Sequence, residues 1–155
     1  MDRMDLPKRK SPRIAEFDYS RANFYFITIC TNEKKCIFGE PGRLNWIGQI
    51  AQENLIKIPI INSAVRLDHY VVMPNHIHAI LDVGSDNRKN LNIVIGQYKM
   101  SVTKQIRKWI PDFKVWQRSY HDHVIRNQAG YEKIWMYIEN NPLKWEEDCF
   151  YLSTE

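Results

Sequence analysis

Two strand-like runs meet at a single turn dipeptide, and that junction constrains this chain more than any other feature. The run "AVRLDHYVVM" ends at Met73 and the run "HIHAILDV" begins at His76, with only Pro74 and Asn75 between them. Apolar and polar residues alternate in the first run, with Val65, Leu67, Val71 and Met73 expected on one side and Arg66, Asp68 and Tyr70 on the other. A Pro-Asn pair between two such runs is a tight-turn signal. Residues 64–83 therefore read as an antiparallel hairpin.

The rest of the chain fits around that hairpin. "NFYFITICT", Asn23 to Thr31, is β-branched and aromatic and reads as a buried strand. Between Leu44 and Ile58, apolar residues recur at helical spacing, and they do so again from Leu91 to Trp109. Lys114 to Asn127 reads as a further strand. A last helix is expected from Gln128 to Asn140, stopped by Pro142, which also disfavours helical geometry at Asn141. The order strand, helix, strand, strand, helix, strand, helix is a split βαβ pattern. It predicts an α+β domain, a mainly antiparallel sheet with helices on one face.

At 155 residues the chain suits one domain with its own core. Residues 1–15 are charged and proline-broken and read as a flexible basic arm, leaving 16–155 as the domain. No run approaches the roughly 18 apolar residues of a membrane span. Cys30, Cys36 and Cys149 are scattered and odd in number, which fits reduced thiols in a cytoplasmic protein. The net charge of +4 permits a polyanionic partner without requiring one.

Chemistry concentrates at His76 and His78. Side chains alternate along a strand, so both imidazoles share one face, roughly 6–7 Å apart along the strand, while Ile77 points the other way. The spacing suits two ligands of one divalent cation, and equally a hydrogen-bonded pair. His121 and His123 repeat the spacing around Asp122, whose charge argues for an edge strand. The apolar neighbours of His76 and His78 argue for a central, rigid strand, the better platform for a site. His69 on the neighbouring strand reads as a satisfied core histidine.

The final helix, "GYEKIWMYIENNPLKW", carries Tyr131, Ile134, Trp135 and Ile138 on a packing stripe. Tyr137 lies off that stripe, with Lys133 one turn before it and Asn141 one turn after. Spacing alone is also satisfied by a half-buried aromatic with its hydroxyl at the rim, and Lys133 by a solvated helix residue.

Taken together, "MPNHIHAIL", "VWQRSYHDHVIR" and "YIENNP" resemble the HUH single-tyrosine transposases, above all their REP-associated branch, over Phe24 to Trp145. The resemblance implies a ferredoxin-like fold and a divalent cation, Mg²⁺ or Mn²⁺, on His76 and His78. It further implies Tyr137 as the catalytic nucleophile, and Asn141 at the position that completes the metal site in related transposases. The implied substrate is single-stranded DNA with hairpin or palindromic ends, cleaved and rejoined through a 5′-phosphotyrosine. Lys104, Arg107, Lys108 and Arg118, with Lys8, Arg9, Lys10 and Arg13 in the arm, are placed to contact phosphates. The branch points to a monomer or a loose homodimer. Two other readings fit the same residues: a non-catalytic nucleic-acid-binding module on a ferredoxin-like sheet, and a metal-dependent hydrolase that would not need Tyr137.

Overall fold

The computed structural model describes residues 24–83 and 88–147, apart from the side chains of 88–90 and 147. The basic arm, with Lys8, Arg9, Lys10 and Arg13, lies outside the described residues, as does Cys149.

Strands β1 (Phe24–Cys30), β4 (Arg66–Met73), β5 (His76–Asp82) and β6 (His121–Val124) form one sheet in the order β4-β5-β1-β6. Every neighbouring pair is antiparallel. A short ribbon, β2 (Gly39–Glu40) with β3 (Arg43–Leu44), precedes helix α1 (Trp46–Ile56) and the single turn α2 (Ile58–Ile61). Helix α3 (Arg88–Ile106) links β5 to β6, and α4 (Gln128–Asn140) runs into a 3-10 segment over Asn141–Glu147. Both α1 and α4 are opened by an asparagine cap: Asn45 accepts from the Gly48 amide and Asn127 from the Gly130 amide.

The expected α+β, mainly antiparallel sheet with packed helices forms, but the helices cover both of its faces rather than one. Tyr25, Ile27, Ile29, Ile77, Ala79 and Leu81 make one face and bury against α1 and α3. Phe24, Ile80 and Ile125 belong to the other face and pack with Tyr131 and Ile138 of α4. A strand buried on both faces needs cover on both, and β5 is such a strand, buried from His76 to Leu81. That is why α4 lies across the sheet from α1 and α3.

Three local expectations change. A β-bulge falls between Leu67 and His69, where Leu67 pairs with Leu81 but His69 with Ile80. One extra residue reverses the alternation, so Leu67 joins the α1–α3 side while Val71 and Met73 join the α4 side. The second long helix ends at Ile106, and Trp109, expected on its apolar stripe, is 74% exposed. Pro111 follows closely and disfavours helix before it. The strand expected over 114–127 shrinks to His121–Val124, preceded by one bridge between Thr31 and Trp116. Ser119 has φ +75°, and the Lys99 amine takes up the carbonyls of Gln117 and Ser119. Both features turn the chain out of the sheet there.

Candidate active site

The register places all five histidines of the chain on one face. In β5, His76 stands opposite Cys30 and Met73, and His78 opposite Thr28 and Val71. Thr28 also stands opposite His121 of β6, Phe26 opposite His123, and Ile80 opposite His69. Residues paired across strands share a face, and the count of histidines in the sequence is five.

Their environments differ. His76 and His78 are buried in the central strand, their rings 4.5 Å apart and nearly perpendicular. Each is anchored through Nδ1. His76 Nδ1 lies 2.9 Å from Asn75 Oδ1, and the Asn75 amide donates through Nδ2 to the Lys34 carbonyl. With that amide so oriented, its oxygen accepts, and Nδ1 of His76 carries the proton. The ring's lone pair is then on Nε2. His78 Nδ1 lies 2.9 Å from the Thr28 hydroxyl, and a proton there likewise puts the lone pair on Nε2. Fixing one nitrogen of an imidazole so that the other can ligate is the outer-shell arrangement of metal-binding histidines. The sequence alone does not single out the two anchors, Asn75 and Thr28. Asn75 is visible there only as a turn residue, and Thr28 comes to His78 through pairing fifty positions apart.

Helix α4 brings the tyrosine. Tyr131 is fully buried against Phe24 and its hydroxyl donates to the Asp68 carboxylate at the bulge. Tyr137 is 42% exposed. Its ring lies 5.2 Å from that of His78 and meets Phe26 edge-on at 6.2 Å. Trp145, eight residues on, lies 6.2 Å from His76. Asn141 stands midway between these two contacts in sequence. It is buried, and its Oδ1 has no hydrogen-bond partner among the described residues. Despite Pro142, Asn141 is helical, with φ −57° and ψ −44°, so α4 carries its spacing through this position.

Two imidazole nitrogens on one strand and an unsatisfied amide oxygen on the neighbouring helix are each the kind of donor that suits a divalent cation. Among the described residues no three His, Cys, Asp or Glu side chains gather into a metal cluster. His69 does not join the pair. It stacks on Trp135 at 4.3 Å and its Nε2 lies 3.1 Å from Glu139. His121 and His123 are exposed on the edge strand. Lys133 is exposed on α4.

The four basic residues gather elsewhere. Exposed Lys104, Arg107 and Lys108 line a cleft along α3, and Arg107 with Arg118 lines the adjoining one. Lys99, at the first cleft, has its amine held below the usual range by burial, with Cys30 acting the other way.

Residues 19–141 match the family described as "Transposase IS200 like". The chain belongs to the IS200-like transposase family. An uncharacterized protein of Haemophilus influenzae is 33% identical over 168 residues, covering 93% of each chain. A second protein of that organism, named as a REP-associated tyrosine transposase, is 23% identical over 82% of this chain and 74% of its own. Among solved structures, a REP-associated tyrosine transposase bound to a REP hairpin superposes with a TM-score of 0.58 at 22% identity, covering 79% of this chain and 68% of that one. This last likeness is one of fold. Membership of that family makes the chain a transposase-type protein of a DNA-processing family. Among the described residues no helix is long and apolar enough to cross a membrane.

Proposed function

We propose that this transposase cleaves and rejoins single-stranded DNA with hairpin or palindromic ends through a covalent 5′-phosphotyrosine on Tyr137. The observation that carries the reading is a part-exposed tyrosine ring 5.2 Å from the ring of a buried, anchored histidine. His76 and His78 through Nε2, and Asn141 through Oδ1, would hold a divalent cation of the Mg²⁺ or Mn²⁺ class. Such a cation, when bound, neutralises charge on the scissile phosphate and orients it.

The chain's own residues do the rest. The Tyr137 hydroxyl attacks phosphorus and gives up its proton, forming the tyrosyl–phosphate bond. The bond to the 3′-oxygen breaks, and that oxygen takes a proton and leaves as a free hydroxyl. Covalent catalysis splits one difficult substitution into two easier ones. The 3′-hydroxyl of an incoming strand reverses the step, which regenerates Tyr137 and conserves the bond, so no nucleotide cofactor is needed. Part exposure suits this role, since a nucleophile must reach a polymer lying outside the protein. Phe26 meets the ring edge-on and limits its swing. Lys104, Arg107, Lys108 and Arg118 would hold phosphates of the hairpin away from the reacting centre.

The test uses labelled hairpin oligonucleotides drawn from palindromes flanking the gene, with Mg²⁺ or Mn²⁺. Wild type should form an adduct that survives denaturing electrophoresis, and Tyr137→Phe should form none while still binding DNA. An adduct on the Tyr137→Phe protein would overturn the assignment. No adduct with wild type on any such hairpin would leave a binding module on the same sheet.

A further inference from the structure

Helix α4 covers one half of the histidine face and leaves the other open. It packs on β4 and β5, where Trp135 stacks on His69 and Tyr131 bonds Asp68. Tyr137 stands at the margin of this cover, over Phe26 of β1, which is only partly buried. Beyond Phe26 lies the edge strand β6, with His123 opposite Phe26 and His121 opposite Thr28, both exposed. A polymer reaching the Tyr137 hydroxyl on this face meets packed helix over β4–β5 and open histidines over β6.

The segment leading into β6 comes from the basic clefts. Arg118 lines the cleft it shares with Arg107 and lies three residues before His121. The Lys99 amine donates to the carbonyls of Gln117 and Ser119 at 2.9 and 2.8 Å, fixing that segment to α3. Since α3 and α4 lie on opposite faces, β6 is the sheet edge around which the two surfaces connect. Cation and imidazole donors follow one another around it.

We infer that single-stranded DNA flanking the hairpin rounds the β6 edge, passing from Arg118 to His121 and His123, and that these two histidines position its phosphates for Tyr137. This rests on the tyrosine reading of the site and adds the route by which substrate enters it. His121 and His123 here are positioning residues. Their imidazoles donate to phosphate oxygens, while the spacing of successive side chains on one face, roughly 6–7 Å, is close to that between neighbouring phosphates in an extended strand.

The experiment separates the route from the chemistry by using Tyr137→Phe protein as background. Its affinity is measured for one hairpin oligonucleotide with and without an unpaired tail on either strand. Adding His121→Ala and His123→Ala should weaken binding of a tailed hairpin by roughly ten-fold for each phosphate that loses its imidazole donor, and leave the tail-less hairpin within about two-fold. His121→Gln with His123→Gln, which keeps donors at both places, should recover much of the loss. Equal loss on tailed and tail-less hairpins, or no loss on either, overturns the route. Tail-dependent loss in a protein whose wild type forms no adduct would leave the route standing and remove the phosphotyrosine.

Discussion

Tyr137 and Tyr131 sit on one helix under opposite constraints: the first is 42% exposed beside His78, the second fully buried with its hydroxyl on Asp68. Removing each hydroxyl should therefore separate stability from activity. Tyr131→Phe strips the part-buried Asp68 carboxylate of a donor and should cost about 1–3 kcal/mol in denaturant unfolding, with cleavage retained below the lowered midpoint. Tyr137→Phe should leave the midpoint within about 0.5 kcal/mol and abolish cleavage. The reverse pattern would show that Tyr131, not Tyr137, is the reacting group.

The anchors of the histidine pair give a second test. Thr28→Val keeps shape but removes the hydroxyl beside His78 Nδ1, and Asn75→Ala removes the acceptor beside His76 Nδ1. Loss of such outer partners weakens metal binding by roughly 10- to 100-fold. Titration of Mn²⁺ should show each variant in that range, and the pair His76→Ala with His78→Ala should lose binding. Unchanged affinity in Thr28→Val would mean that His78 orients itself without the hydroxyl.

The contrast between pairs and anchors shows what the sequence makes legible. The hairpin, the common direction of His76 and His78 and the off-stripe position of Tyr137 all follow from periods of two and 3.6, which are local. The bulge at Asp68 does not, because nothing in "RLDHYVV" marks the extra residue. It becomes necessary only once Leu67 must bury against one layer and Val71 against the other. The gathering of five histidines on one face, and the Thr28–His78 contact, depend on register between distant strands. Trp109 misleads because helical periodicity continues past the point where Pro111 ends the helix.

Gly48 offers a test of the packing that positions α1. A Cβ at this position would stand 2.2 Å from the Phe38 carbonyl oxygen and 3.1 Å from its carbon. Backbone cannot give way as a side chain can. Gly48→Ala should therefore destabilise by about 1–3 kcal/mol or more, although alanine in an open helix would gain about 1 kcal/mol over glycine. Thermal unfolding that rose with this substitution would contradict the close approach of α1 to residue 38.

The basic clefts of α3 predict a salt dependence. Lys104 and Lys108 are the cleaner probes, because Arg107 also donates through Nε to the Phe113 carbonyl and so supports the fold. Affinity for a hairpin should fall linearly with salt on logarithmic axes, as expected when cations replace counterions on phosphates. Lys104→Ala with Lys108→Ala should flatten the slope by roughly 0.7–0.9 for each phosphate no longer neutralised. A slope identical to wild type would place the DNA away from this cleft.

Asn141 sets stability against function. Its Oδ1 is buried without a hydrogen-bond partner among the described residues, and an unsatisfied buried acceptor costs about 1–3 kcal/mol. A residue kept only for the fold would not carry that cost, since leucine fills a similar volume without a polar atom. Asn141→Leu should therefore leave metal-free thermal stability unchanged or raise it, while Mn²⁺ affinity and Mn²⁺-dependent cleavage fall. Added Mn²⁺ should raise the unfolding midpoint of wild type by binding the folded state alone, and raise that of Asn141→Leu much less. Asn141→Asp offers a charged oxygen at the same place and should bind the cation at least as tightly as wild type. A metal-free Asn141→Leu protein clearly less stable than wild type would mean that the amide serves the fold and that the third donor lies elsewhere.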